Sequence, residues 1–238
     1  MSGAGGSRRL LLFGASGSIG GAVSELFRRQ GWQIIAVTRG NPIPETGLHW
    51  DPLDEADLAG RKGLAAFAPF DAVCWAQGQN CNDSVYDFNI AAHNDMYRAN
   101  VLYVLASMHH LVRAGHLAKP ARLCLISSIW QNIARQNKLS YSVTKSALHG
   151  LVLSAANDLG RDGHLVNAVL PGALDTPMTR SNLAPEQLEK MTDSTQFGRL
   201  PTLQDVASIV HYLCSEANTG LTGQFIKADL GFSDVRII

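Results

Sequence analysis

The stretch Arg9-Leu10-Leu11-Leu12-Phe13-Gly14-Ala15-Ser16-Gly17-Ser18-Ile19-Gly20 decides the fold. An apolar run of strand length ends at Gly14, and glycines recur at Gly14, Gly17 and Gly20. Ile19, Val23, Leu26 and Phe27 then share one helical face, and Gly31 stops that helix. Strand, tight turn and helix in this order are the context a glycine triplet needs before it means anything. Glycines let the turn form and let a pyrophosphate approach the backbone. The helix N-terminus offers unpaired N–H groups and the positive end of its dipole. Ser16 and Ser18 add hydroxyl donors. The segment predicts a dinucleotide site; a purely structural glycine turn is the alternative.

Working outward, the same alternation continues. Arg9–Phe13, Gln33–Thr38, Asp71–Ala76, Arg122–Ser127, His164–Leu170 and Phe225–Ala228 read as buried strands, with Leu48–Asp51 a weaker candidate. Helical spacing fills Asp54 to Phe67, Asn94 to Ala114, Tyr141 to Gly160 and Leu203 to Cys214. Continuous apolar strands alternating with helices predict a parallel sheet covered on both faces. The expected fold is therefore α/β: a single doubly wound Rossmann-type domain with a sheet of about seven strands. Right-handed crossovers place the loops after each strand along one edge, so the chemistry belongs at strand C-termini. Residues 1–8 are expected to be flexible. Residues 175–199 carry Pro177 and Pro185 and break the pattern, which predicts a substrate lid with a short helix near Pro185–Met191.

Composition bounds the partners. The 238 residues include 20 Lys plus Arg and 20 Asp plus Glu, so no whole-chain charge favours nucleic acid or an anionic membrane. Hydrophobic residues at 46% argue for a globular chain and against disorder. Cys74, Cys81, Cys124 and Cys214 lack the short spacing of metal or redox motifs, and Cys74 and Cys124 fall inside strands, so buried free thiols are expected. The start lacks a secretory h-region, and Leu10–Phe13 is too short to span a membrane; a cytoplasmic location is expected. His109, His110 and His116 form no set with ligand spacing, so no metal site is expected. A small molecule is the expected partner.

The end of the second strand bears on cofactor choice. A ribose 2′-hydroxyl wants a carboxylate there, and this chain has Thr38 and Arg39 instead. A planar guanidinium suits a 2′-phosphate, which predicts NADP. NAD with a solvated Arg39 stays possible.

Tyr141 and Lys145 are four residues apart at a helix start and share a face. Ser128 stands thirteen residues before Tyr141, just after a strand. Asn100 sits in apolar helical company, where a buried amide must find partners, either as a structural cap or in a polar network.

These pieces resemble the short-chain dehydrogenase/reductase family over essentially the whole chain. They are Gly14-Ala15-Ser16-Gly17-Ser18-Ile19-Gly20, Trp50-Asp51, Ala76-Gln77-Gly78, Asn100, Ile126-Ser127-Ser128, Tyr141-Ser142-Val143-Thr144-Lys145, Pro171-Gly172-Ala173-Leu174-Asp175-Thr176-Pro177-Met178, Gly198-Arg199 and Thr222 to Asp229. The resemblance implies Tyr141 as general acid or base, with Lys145 favouring its phenolate and binding the nicotinamide ribose. Ser128 would orient the substrate oxygen, and Asn100 would hold a water linking Lys145 to solvent. Asp51 would accept from the adenine amino group, and Gly78 would let the chain pass the adenosine ribose. Leu174 and Thr176 would hold the carboxamide. Gly14, Ser16, Gly17, Ser18, Ile19, Gly20, Ala76, Gln77, Pro171 and Gly172 complete the implied cofactor cradle. Three departures stand out: Phe13 and Ser18 where the family usually has Thr and Gly, Ala76-Gln77-Gly78 for Asn-Ala-Gly, and Asp229-Leu230-Gly231 where two glycines are typical.

The leading expectation is an NADP-dependent enzyme interconverting a ketone and a secondary alcohol. An NAD-dependent alcohol dehydrogenase and a catalytically silent dinucleotide-binding regulator are the alternatives. Trp130 and Met178 could line the substrate pocket or merely pack, and packing is favoured for Met191 and Phe197. The resemblance implies a homo-oligomer, tetramer or dimer, with Leu153 and the Val235–Ile238 end compatible with an interface.

Overall fold

The computed structural model describes residues 7–39, 47–176, 179 and 184–235. Its strands are β1 (Arg9–Phe13), β2 (Gln33–Thr38), β3 (Gly47–His49), β4 (Phe70–Trp75), β5 (Leu117–Ile126), β6 (Leu165–Pro171) and β7 (Phe225–Ala228). Its α-helices are α1 (Ser18–Arg29), α2 (Leu58–Phe67), α3 (Ile90–Tyr97), α4 (Tyr103–Arg113), α5 (Leu139–Leu159), α6 (Pro185–Asp193) and α7 (Leu203–Cys214). The strands form one parallel sheet in the order β3-β2-β1-β4-β5-β6-β7.

The first strand shows why both faces must be covered. Successive side chains point to opposite faces. Leu10 and Leu12 join Val23 and Phe27 of α1 and Val206 and Val210 of α7 in one core cluster. Leu11 and Phe13 join Val104 and Met108 of α4 and Leu148 and Val152 of α5 in the other. Each fully buried side chain of this kind contributes roughly 1.5–3 kcal/mol, so neither face can be left open. The strand order reverses between β1 and β4, and the crevice beyond their C-terminal ends is where such sheets bind ligands.

Several boundaries differ from the sequence expectation. The second helix starts at Leu58 because Asp57 caps it, its Oδ1 accepting from the Gly60 N–H at 2.8 Å. The long helix starts early, at Ile90, because Asn89 caps it, accepting from the Ala92 N–H at 3.0 Å. It then passes through a π turn at Arg98–Leu102 before continuing as α4. Strand β5 begins five residues early, through Pro120, and the β4–β5 ladder shifts register there. The segment expected as a lid carries α6; residues 177–178 and 180–183, including Met178, lie outside the described residues, as do residues 1–6 and 236–238. Among the described residues no helix is long and apolar enough to cross a membrane. Cys74, Cys124 and Cys214 are buried free thiols, as expected, while Cys81 is half-buried.

Candidate active site

Helix α5 presents Tyr141 and Lys145 on successive turns, and its start is fixed from another loop. Asp83 Oδ1 accepts from the Ser140 N–H at 2.9 Å, and the Ser140 hydroxyl also donates to that carboxylate. A carboxylate at a helix N-terminus satisfies orphan donors and complements the dipole. The His93 ring bonds the same hydroxyl at 2.8 Å. One residue before the helix, Lys138 Nζ donates to Asn80 Oδ1 at 2.8 Å, the Cys81 carbonyl at 3.1 Å and Asn82 Oδ1 at 2.7 Å. The loop after β4 is thereby stitched to the N-terminus of α5.

Strand β5 ends beside this helix and delivers Ser128. The serine caps a 3-10 turn, Ile129–Gln131, accepting from the Trp130 N–H at 3.3 Å. Its hydroxyl also bonds the Tyr141 phenol. Burial pushes the Tyr141 pKa up, and the Ser128 bond pulls the other way without cancelling it. Lys145 is buried, its Nζ donating to the Ile126 carbonyl at 3.0 Å and lying 5.6 Å from the Tyr141 ring centre. Burial pushes the Lys145 pKa down to about 8.

The π turn explains Asn100. Such turns aim a side chain differently from a regular helix and are frequent at functional sites. Asn100 Oδ1 accepts from the Gln79 N–H at 2.7 Å, and Nδ2 donates to the Gln79 carbonyl and to Thr144 Oγ1, both at 3.0 Å. The amide is therefore part of a polar network rather than a cap. A Cβ at Gly78 would lie 3.1 Å from Asn100 Oδ1 and 3.6 Å from Lys145 Nζ, so both groups face the gap beside that glycine.

Two cavities meet at the edge of the sheet. The larger, about 590 Å³, is lined by Gly17, Ser18, Ile19, Ser128, Tyr141, Lys145, Pro171, Gly172, Leu174 and Thr176, among others. The smaller, about 260 Å³, is lined by Gly14, Ser16, Arg39 and Tyr103, among others. Gln77 and Gly78 line both, and Ala76 lines the larger.

The residues fit a dinucleotide on three observations. Helix α1 begins at Ser18, with Gly17 as N-cap giving no side-chain hydrogen bond and no acidic residue in its first turn, leaving a bare positive end facing the cleft. Gly14 has φ +78°, and a Cβ there would lie 2.6 Å from the Gln77 N atom, so the loop and the end of β4 touch through backbone alone. Both amide atoms of Gln77 are buried without a partner, hydrogen-bonding capacity that a ligand in the cleft would satisfy.

A family model described as Enoyl-(Acyl carrier protein) reductase matches residues 63–233. The chain belongs to the short-chain dehydrogenase/reductase family. It is similar to an uncharacterized oxidoreductase, YmfI, of Bacillus subtilis (strain 168), 28% identical across 95% of this chain and 99% of the relative. It is also similar to the 3-oxoacyl-[acyl-carrier-protein] reductase FabG of Escherichia coli (strain K12), 24% identical across 93% and 95%. Among solved structures, one described as ElxO with NADP bound superposes with a TM-score of 0.84 at 21% identity, covering 97% of this chain and all of that one; the likeness shows the shared fold.

Within this short-chain dehydrogenase/reductase, some expected residues stand apart from the cleft. Gly20 does not line it; a Cβ there would fall 2.1 Å from the Gly14 carbonyl oxygen, so its place is to let α1 press on the loop. Asp51 lines neither cavity, and its Oδ1 accepts from the Leu53 N–H at 3.0 Å. Trp130 lines the larger cavity, whereas Phe197 is exposed and Met191 lines neither. Phe13, where the family usually has Thr, stacks on Trp75 at 5.7 Å and meets the edge of Tyr103 at 5.8 Å. Arg39 lies over the Tyr103 ring, its guanidinium 5.4 Å from the ring centre.

The sequence reading missed Gln79, Asp83, Arg135, Lys138 and Thr144. The polar run Asn80-Cys81-Asn82-Asp83 directly after a strand end was a usable signal, since binding residues gather on such loops. Arg135 and Lys138 carried none.

Proposed function

We propose that the protein is an NADP-dependent oxidoreductase interconverting a ketone and a secondary alcohol. The observation that carries this reading is the cluster of Ser128 and Lys145, both buried, with half-buried Tyr141, all lining the larger cavity. A bound nicotinamide cofactor supplies the hydride in reduction and takes it in oxidation. Tyr141 gives its phenolic proton to the carbonyl oxygen in reduction and takes it back in oxidation. Ser128 donates to the same oxygen and fixes its position. Lys145 in its charged form favours the phenolate and would bind the ribose hydroxyls. The gap between Lys145 and Asn100 beside Gly78 suits a water that carries the proton onward.

Gly14, Ser16, Gly17, Ser18 and Ile19 would hold the pyrophosphate at the start of α1. Ala76, Gln77 and Gly78 would pass the adenosine ribose, and Pro171, Gly172, Leu174 and Thr176 would hold the carboxamide. Arg39 would take the 2′-phosphate, a choice supported by the structural relative described with NADP bound. The substrate is a small carbonyl compound, and residues 175–199 act as its lid. A homo-oligomer is part of the proposal, supported by Leu105 of α4 and Val143 and Leu153 of α5, all exposed.

Tyr141→Phe tests the reading, assayed with a ketone panel and both NADPH and NADH. We expect kcat to fall roughly 10²–10⁴-fold with NADPH binding intact, and wild type to prefer NADPH. Full turnover by the variant would sink the proton-transfer role, and equal or better kcat/KM with NADH would sink the Arg39 assignment. Reduction of an enoyl thioester but of no ketone would move the reaction to the chemistry named by the matching family model.

A further inference from the structure

The larger cavity holds two cations, Arg135 and Lys138, to which the hydride transfer above gives no part. Its charged lining residues are Arg135, Lys138 and Lys145, and no Asp or Glu lines it among the described residues. A cleft lined by one sign of charge concentrates ligands of the other sign, because its low-dielectric walls focus the field.

The three cations are not equivalent. Lys145 is committed to Ile126 and to the neighbourhood of the Tyr141 ring. Lys138 spends all three of its donors on Asn80, Cys81 and Asn82, so it contributes potential but has no hydrogen left for a ligand. Its Nζ lies 5.8 Å from the Tyr141 ring centre, which brings that positive potential to the reacting group. Arg135 is half-buried and has neither a hydrogen bond nor an ion pair among the described residues. Its guanidinium sits 5.9 Å from the Trp130 ring centre. A guanidinium held over an indole by its cation–π attraction keeps its N–H donors for a ligand, and a guanidinium can receive two oxygens of one anion. Trp130 follows Ser128 by two residues, on the 3-10 turn that Ser128 caps, so the arginine over the indole is tied to the group expected to hold the carbonyl.

We propose that the substrate is a carbonyl compound bearing an anionic group, carboxylate or phosphate, that Arg135 grips through its N–H donors while the carbonyl lies at Ser128 and Tyr141. This rests on the hydride-transfer reading above and names the substrate class for it. Arg135 is then the specificity-determining residue, and Lys138 positions the loop opposite it.

The test is steady-state kinetics with NADPH on a panel of ketones arranged in charged and neutral pairs. The pairs include 4-oxopentanoate with its methyl ester and hydroxyacetone phosphate with hydroxyacetone. Wild type, Arg135→Gln and Arg135→Lys are compared, with NADPH binding by fluorescence as the check on folding. We expect wild type to favour the anionic member of one pair by about 10–100-fold in kcat/KM, mostly through KM. Arg135→Gln should erase that preference, acting far more on the anionic member than on the neutral one, and lose the sensitivity to ionic strength that wild type shows. Arg135→Lys should restore part of it. The preferred pair identifies carboxylate or phosphate. Equal turnover of both members by wild type, or a preference that survives Arg135→Gln, overturns the inference while the ketone chemistry stands. If Arg135→Gln loses NADPH binding, wild type and Arg135→Lys decide on the same criteria. Failure of wild type to turn over any ketone while binding NADPH sinks the hydride-transfer reading and this inference with it.

Discussion

Replacing Lys145 with methionine should make the protein more stable at neutral pH while abolishing its proposed activity. Burial lowers the Lys145 pKa from the ordinary value of 10.5 to about 8. At about 1.4 kcal/mol per pH unit, keeping this ammonium charged in the fold costs about 3 kcal/mol. The sign follows from linkage: the unfolded chain holds this proton up to pH 10.5, and the folded chain gives it up near pH 8. The full penalty is therefore present below about pH 8, shrinks as pH rises and is gone above 10.5. Methionine fills the volume of the aliphatic stem without the charge. It also loses the bond to the Ile126 carbonyl, worth about 1 kcal/mol. Lys145→Met should then gain about 2 kcal/mol at pH 7, or about 4–8 °C in Tm for a domain of this size. Near pH 10.5 the same variant should be slightly less stable than wild type. Urea unfolding followed by tryptophan fluorescence at both pH values measures this, at equal protein concentration. A stability difference identical at the two pH values would refute the reasoning, because only the titration of Lys145 separates them.

Two further outcomes follow from the glycine loop and from Ser128. Gly20→Ala should cost about 1–3 kcal/mol and weaken NADPH binding, since its Cβ would strike the Gly14 carbonyl oxygen at 2.1 Å; Gly17→Ala, with its nearest atom at 3.4 Å, should be tolerated. Thermal melts of both variants decide, and equal losses would contradict the packing role. Ser128→Ala removes the bond that lowers the Tyr141 pKa, so the rising limb of the alcohol-oxidation pH profile should move to higher pH. A limb that stays in place would mean Ser128 does not act on Tyr141.

The sheet was legible because its strands are apolar on both faces, and Leu10 through Phe13 needed no alternation to be read. The glycine loop, Ser128, Tyr141 and Lys145 were legible because their chemistry depends on sequence-local spacing at strand ends. Asp83 and Lys138 were not, because each works across 57 residues or nearly so, and no local rule pairs a loop with a distant helix start. Asp51 shows what the resemblance could not supply: it implied an adenine contact, and the bond that Asp51 Oδ1 accepts from the Leu53 N–H within its own turn had no sequence signal. The π turn that aims Asn100 leaves no periodic trace over five residues.

The strand order has a consequence for how the chain is made. Synthesis delivers β1, β2 and β3 first, and these three lie side by side in the finished sheet. The other edge of β1 pairs with β4, whose residues Phe70–Trp75 leave the ribosome more than thirty residues after β2. At roughly 5–20 residues per second, that edge waits for a few seconds, apolar and unpaired. The newborn protein is most exposed to wrong partners in that interval, at the very strand that later borders the cofactor cleft.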